Sequence, residues 1–387
     1  MATEVKNIRL TNNGITPSNS LGIRGYDYAE YFVGSAKMAA FWHAKAMGLD
    51  IVAYRGPETG VKDRMSYLLK SKAGMKLLIT SPVQPGTWDG QSFVSQHGDG
   101  FKRWSMEVDN VKSIYEYTLR NGAAPVLAPR ITEDKYGTVE EAAIRIYDDA
   151  EICFVNYDNY SGLFKPGFGE PVQHYKLNRE ETKLIGIDHI VGNVYTNEMD
   201  KWAEYFNRAL DFETFIYFGP GDISTKYSAL LSKVVRSKDT VIRNPINEPF
   251  EGMFKSQIEE YTDQYHGTGI QHIAITTDNI IDTIYAMKEN GVEFLDDPPP
   301  TYYEDLAKRD FGLTENLDEL QKLGILIDVE GTGYLLQIFT KPIGDRPTFF
   351  YEIIQRRNGA QGFGQGNFQA LFEAIERDQE RRGNLIK

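Results

Sequence analysis

Apolar residues fall into two spacings along this chain, and the succession of the two repeats four times. Gly25–Val33 reads as a strand, and Ala36–Ala46 then sets Met38, Phe41, Trp42 and Ala46 at helical spacing. Gly48 closes that helix and Ile51–Tyr54 resumes an extended run. The third unit copies the first: a strand over Ile187–Val194, a helix through Trp202, Tyr205, Phe206 and Leu210, then a strand over Phe212–Phe218. The second and fourth units share another order. Trp104–Val108 precedes a helix over Val111–Leu119, the stop Asn121-Gly122 and an extended Pro125–Leu127. Ile273–Thr276 precedes a helix over Ile280–Lys288, the stop Asn290-Gly291 and a predicted strand Val292–Leu295.

The halves also align residue by residue. Gly25-Tyr-Asp-Tyr28 meets Gly186-Ile-Asp-His189, Gly100-Phe-Lys-Arg103 meets Gly269-Ile-Gln-His272, and Asp109-Asn110 meets Asp278-Asn279. A period this long indicates a duplicated domain, because solenoid repeats run roughly 20–50 residues. The 387 residues suffice for two domains of ordinary size. Gly162, Pro166, Gly167, Gly169 and Pro171 mark the connector, which predicts a first domain over 1–165, a linker over 166–182 and a second domain over 183–387. Pro298–Pro300 predicts a stiff extended loop. Asn367 is positioned to cap a last helix whose apolar face is Phe368, Leu371, Phe372 and Ile375. Its other face, with Glu373, Glu376, Arg377, Asp378, Glu380 and Arg381, is expected to meet solvent. Paired strand–helix–strand units in each half resemble the vicinal-oxygen-chelate architecture. That likeness implies an α+β fold of two open β-barrel domains, each built from paired βαβββ modules.

Composition narrows the function. Fifty-five acidic against 42 basic residues give a net charge of −13, which disfavours a phosphate-backbone partner, and the pairs Arg356-Arg357 and Arg381-Arg382 are too short to change that. No apolar run approaches the ~18–20 residues of a membrane helix, and the N-terminus lacks the basic-then-apolar order of a signal peptide. A single cysteine, Cys153, excludes an intrachain disulfide. The expectation is a cytoplasmic protein with neither nucleic acid nor membrane as partner. Twenty-three Tyr and 21 Phe suit broad sheets with aromatic interiors.

Against this background three ionisable residues stand among apolar strand neighbours: His189 in Ile187–Val191, His272 in Ile270–Ala274 and Glu352 in Phe349–Ile354. Burying such a group is costly unless it is paired or ligates a metal. Two neutral imidazoles and one carboxylate make the facial triad of non-haem Fe(II) oxygenases, with three coordination positions left open. One strand histidine taken alone is more often a satisfied core or surface residue. Two at equivalent points of a repeat favour the ligand reading. The first half has Tyr28 and Arg103 at those points and no carboxylate in Ile152–Asn156, so it is expected to be metal-free. His43, His97, His174 and His266 are expected to be structural or exposed.

The segments Gly186–Asn193, Pro245–Pro249, Gly269–Ala274, Leu335–Pro342, Asp345–Thr348, Glu352–Arg356, Gln361–Gly364 and Gly366–Phe368 resemble the 4-hydroxyphenylpyruvate dioxygenase family, and Tyr54–Gly60 extends the likeness into the first half. The resemblance implies Fe(II) held by His189, His272 and Glu352, and conversion of 4-hydroxyphenylpyruvate and O2 to homogentisate and CO2 in tyrosine and phenylalanine catabolism. It assigns Ser232, Asn247, Gln257, Gln271 and Gln337 to the polar pocket and Phe339, Phe350, Phe363 and Phe368 to its aromatic walls, the last two sandwiching the substrate ring. Asn367 and Leu371 fall on the family's closing C-terminal helix. A homo-oligomer, dimer or tetramer, is also implied. On the residues alone these Phe are core by default and Asn247 and Gln257 could serve backbone groups. Gln271, next to His272, alternates onto the opposite sheet face unless the strand is bulged. Arg357–Ala360 and Lys102–Trp104 depart from the family pattern, which bears on loop geometry alone. Two rival readings are a 4-hydroxymandelate synthase, with the same substrate and iron but benzylic hydroxylation, and a metal-free binding protein on this scaffold. Pro245, Asn247 and Phe339 favour the dioxygenase over the synthase.

Overall fold

β-branched and aromatic residues dominate the extended runs, and in the computed structural model, which describes residues 21–84, 89–172, 174–219 and 229–384, those runs assemble into two eight-stranded sheets. The first sheet comprises β1 (Ile23–Phe32), β2 (Asp50–Arg55), β3 (Arg64–Lys70), β4 (Lys76–Pro82), β5 (Gly100–Val108), β6 (Pro125–Asp134), β7 (Gly137–Ile146) and β8 (Ala150–Asn156). The second comprises β9 (Leu184–Asn193), β10 (Glu213–Phe218), β11 (Ala229–Arg236), β12 (Arg243–Phe250), β13 (Gly269–Thr277), β14 (Leu326–Glu330), β15 (Gly333–Phe339) and β16 (Phe350–Arg357). Their spatial orders are β2-β3-β4-β1-β5-β8-β7-β6 and β10-β11-β12-β9-β13-β16-β15-β14. The second order reproduces the first strand for strand, and β1 and β9 bury the same positions along their lengths. The fold is α+β, two curled half-barrel sheets of paired modules.

Helices α1 (Ala36–Ala46), α2 (Asp89–His97), α3 (Val111–Arg120), α4 (Met199–Leu210), α5 (Gln257–Tyr265), α6 (Ile280–Glu289), α7 (Pro300–Ala307), α8 (Leu317–Leu323) and α9 (Phe368–Arg381) accompany the sheets. The repeated Asp-Asn pairs are N-caps: Asn110 accepts from the Ser113 amide at 2.8 Å and Asn279 from the Asp282 amide at 3.0 Å. Gly122 and Gly291 follow with φ of +90° and +97°, so both helices end in the left-handed turn that Asn-Gly anticipates.

Two expectations need correction. Val292–Leu295 forms no strand; only Phe294 bridges, to Thr340, and the chain passes through α7 and α8 before β14 takes the edge position. Val292 and Phe294 are buried and Leu295 partly so, without being paired in a ladder. Pro299 is extended as predicted, but Pro300 opens α7, where a missing N–H costs no helical bond.

One apolar core spans both halves. Alternation along β16 sends Glu352 to one face and Phe349, Tyr351 and Ile353 to the other. There Phe349 packs on Phe101 with ring centroids 4.4 Å apart, and Tyr351 bonds His43 Nε2 at 3.0 Å. The first half thus backs the strand that carries Glu352. No helix among the described residues is long and apolar enough to cross a membrane.

Candidate metal centre

Register places the three candidate ligands side by side on one face. His189 on β9 pairs with Ala274 on β13, and Ala274 pairs with Glu352 on β16. His272 lies two residues before Ala274 and therefore on the same face. Sheet curl closes the remaining distance. His189 Nε2 sits 3.2 Å and His272 Nε2 3.4 Å from Glu352 Oε2, and ligand atoms of all three lie within 4.8 Å of one another. All three residues are buried.

Two β-bulges orient the imidazoles. The β9–β13 pairing slips between Ala274 and Ile275, leaving Asp188 as the extra residue of β9, and again between Ile270 and His272, leaving Gln271 as the extra residue of β13. Each bulged residue immediately precedes a candidate ligand and turns its side chain back onto it. Asp188 Oδ1 lies 2.7 Å from His189 Nδ1, and Gln271 Oε1 lies 2.9 Å from His272 Nδ1. Both partners accept, so each ring donates from Nδ1 and keeps the Nε2 lone pair for the centre. The bulge also answers the alternation problem for Gln271, which joins Gln257 and Phe350 around a cavity of about 30 Å³, room for a water molecule.

Charge matches this geometry. Burial alone would raise the Glu352 carboxyl, but the facing His189 and His272 hold its pKa down to about 2. Burial lowers both imidazoles; Glu352 and Asp188 outweigh it at His189, whose pKa rises, and not at His272, whose pKa falls. Asp188 stays well below the carboxylate range despite burial because Arg356 clasps it, Nε to Oδ2 at 2.9 Å and Nη2 to Oδ1 at 2.8 Å. Sequence reading missed Asp188 and Arg356. The usable signal was their placement, one residue before one candidate ligand and four after another.

The other predicted residues gather on the same concave face. Gln337 and Phe339 alternate along β15 opposite Ile354 and Glu352. Ser232 pairs with Asn247, and Asn247 with Asn193, giving a polar row across β11, β12 and β9 about 13 Å along β9 from His189. Asn193, also missed, is fully buried with its Nδ2 unpartnered, and Asn247 Nδ2 lies 3.4 Å from its Oδ1. Neither amide atom of Gln337 has a partner although the residue is 1% exposed. A buried amide left this way costs ~1–3 kcal/mol per group, and on this face the Gln337 amide is placed to bond a ligand. Gly364, at φ +77°, passes so close that any Cβ would strike that amide.

Aromatic rings frame the centre. Phe350 stacks on His272 at 4.8 Å, Phe339 stands edge-on to Phe350, and Phe363 meets His189 edge-on at 5.1 Å. Phe368 and Phe363 share a cluster with Phe218, Leu230, Ile258 and Phe372, and Leu371 packs against that of Phe339 and Phe350. Asn367 departs from its expected role. It makes no side-chain cap, because the turn Gln365–Asn367 already brings it into helical backbone; its Oδ1 accepts from Tyr302 at 2.7 Å. Glu376 and Asp378, expected in solvent, are buried, and Asp378 pairs with Arg381 and Arg382. His43 and His97 are buried and bonded within the protein; His174 and His266 are exposed.

Residues 186–313 match the model of the Glyoxalase/Bleomycin resistance protein/Dioxygenase superfamily. The 4-hydroxyphenylpyruvate dioxygenase of Yarrowia lipolytica is 42% identical over 382 residues, 95% of each chain, and that of Coccidioides posadasii is 41% identical over 388 residues, 96% of each. Among solved structures, a triple mutant of 4-hydroxymandelate synthase from Streptomyces coelicolor superposes with a TM-score of 0.82 at 27% identity, covering 93% of this chain and 100% of that one. The paired half-barrels and their converging His, His and Glu define a dioxygenase-type member of the glyoxalase superfamily. Within that class, the chain belongs to the 4-hydroxyphenylpyruvate dioxygenase family and is an enzyme acting on a small molecule. A metal cofactor is implied by the family, and the donor set fits one: two imidazoles with fixed tautomers and a buried, ionised carboxylate.

Proposed function

We propose that this chain holds Fe(II) through His189, His272 and Glu352 and converts 4-hydroxyphenylpyruvate and O2 to homogentisate and CO2. The observation that carries the reading is that ligand atoms of His189, His272 and Glu352 lie within 4.8 Å of one another, on a face that also holds unpartnered amide atoms of Gln337 and Asn193. Bound Fe(II) supplies redox chemistry and open positions for a 2-oxo acid and O2.

The chain's own residues supply orientation and exclusion. Asp188 and Gln271 fix the imidazoles. Ser232, Asn247 and Gln257 orient substrate oxygens, and the Gln337 amide both donates and accepts. Phe363 and Phe368 hold the ring between them, at about 0.5–1.5 kcal/mol per aromatic contact beyond burial. Asn367 and Leu371 seat α9 over the site, keeping water out while the oxidant exists. One oxygen atom ends in the shortened carboxylate and the other on the ring, so no second 2-oxo acid is consumed. The reading divides the chain into a metal-free domain over 1–165, a linker over 166–182 and a catalytic domain over 183–387, working in the cytoplasm as a homo-oligomer.

A second reading rests on the likeness to 4-hydroxymandelate synthase. Product analysis with 4-hydroxyphenylpyruvate separates the two. Homogentisate supports the proposal, 4-hydroxymandelate supports the synthase, and no product with no bound metal supports a binding protein.

A further inference from the structure

Arg356 stands four residues beyond Glu352 on β16, on the same face, and its donors point two ways. Nε and Nη2 clasp Asp188, the carboxylate that also holds His189 Nδ1. Nη1 donates to the Gly362 carbonyl at 2.6 Å, one residue before Phe363, and the guanidinium carbon lies 5.7 Å from the centre of the Phe363 ring. Phe363 in turn meets His189 edge-on at 5.1 Å. The contacts close a circuit from His189 through Asp188, Arg356, Gly362 and Phe363 back to His189. A planar guanidinium can serve a carboxylate with two donors and a carbonyl with a third; an ammonium cannot hold that geometry.

The same loop is also held from its other side by Glu330, whose charge acts on Arg356 as well. Glu330 Oε2 accepts from the Gln361 and Gly362 amides, each at 2.7 Å, without touching Asp188 or His189. We infer that Arg356 is a positioning residue that makes the orientation of a metal-ligating histidine and the placement of the ring-clamping Phe363 a single adjustment. The inference rests on the function proposed above. It adds that metal affinity and fidelity of ring oxidation are linked through one side chain outside the ligand set.

The test compares Arg356→Gln, Arg356→Lys and Glu330→Ala with the parent enzyme. Zn(II) affinity of the metal-free proteins is read by calorimetry, and the ratio of CO2 released to hydroxylated product by turnover of the iron-loaded ones. Hydrogen exchange of residues 360–364 is followed with and without Zn(II). Arg356→Gln is expected to bind Zn(II) roughly 10–100-fold more weakly and to release CO2 in excess, with Arg356→Lys between it and the parent in both. Glu330→Ala is expected to release excess CO2 with a smaller loss of Zn(II) affinity than Arg356→Gln, because Asp188 keeps its guanidinium partner. Zn(II) is expected to slow exchange in 360–364 in the parent and in Glu330→Ala, and not in Arg356→Gln. Loss of affinity without excess CO2, or the reverse, in either Arg356 variant overturns the linkage, as does an equal loss of affinity in Glu330→Ala. Should Arg356→Gln not fold, Arg356→Lys carries the same comparison. If the parent itself yields no hydroxylated product, the proposed function fails. The Zn(II) affinity and exchange arms then still decide whether Arg356 couples the two elements.

Discussion

The two sheets follow one topology and even slip at the same points: the β1–β5 pairing is bulged between Tyr26 and Ala29 and between Glu30 and Tyr31, as β9–β13 is around Asp188 and Gln271. What fills the interior differs. Where the second half has His272, the first has Arg103, bonded to Glu151 at 2.6 Å and Glu30 at 3.1 Å. Where the second has His189, the first has Tyr28, which meets the Lys165 ammonium at 3.1 Å, itself paired with Glu141 at 2.8 Å. Cys153 takes the register position of Glu352, and burial pushes its thiol up to about 11. The first half therefore carries its cations covalently and neutralises its own carboxylates. The second half aims a carboxylate and two lone pairs at one point, and among the described residues no lysine or arginine is paired with Glu352. The same curled sheet thus becomes a closed structural unit or a candidate metal centre according to whether its positive charge is built in.

Exchanging single residues tests that difference. Glu352→Ala is expected to abolish turnover, a loss beyond about 10³-fold, while circular dichroism and the melting curve show a folded chain. Full activity in an iron-free preparation of that variant would remove Glu352 from the site. Arg103→Ala leaves Glu30 buried without its cation and Glu151 with Lys102 alone, so stability is expected to fall by about 3–5 kcal/mol in denaturant unfolding, with the iron content of the surviving folded protein unchanged.

The support that the first half gives to β16 is acid-labile. Burial lowers His43 from 6.5 to about 4, so the unfolded chain takes its proton more readily. Stability is therefore full above about pH 6.5 and is expected to drop by up to about 3 kcal/mol as pH falls toward 4. Melting of His43→Gln should lose much of that slope. The smallest effect concerns ring placement: Phe363→Ala is expected to lower product per CO2 released roughly tenfold or less. Equal yields of CO2 and homogentisate in that variant would exclude the clamp.

Much of this was readable before any coordinates. Helix stops at Asn-Gly, the recurring Asp-Asn pairs and the matched segments around His189 and His272 announced the repeat, because residues at corresponding points meet the same local requirements. His189, His272 and Glu352 could be singled out because a charge amid apolar strand residues has few physical explanations. Long-range accommodation was not readable. The bulges at Asp188 and Gln271 arise from pairing between strands distant in sequence, and so does the circuit through Arg356. Val292–Leu295 looks like a strand in isolation, yet the chain runs on through α7 and α8 and β14 takes the edge of the sheet. Asn367 has a cap's composition, but a preceding turn decides its backbone. Glu376 and Asp378 appear solvent-facing by period until α9 is seen packed against α5, where Arg382 pairs with both Asp378 and Glu260.

Metal content by chain and by half is the most direct measurement. The account predicts one Fe(II) per chain in the purified enzyme, unaltered when Tyr28 or Arg103 is substituted and lost when His189 or His272 becomes Ala. An ion that persists in those histidine variants, or a fully active enzyme that carries none, would contradict it.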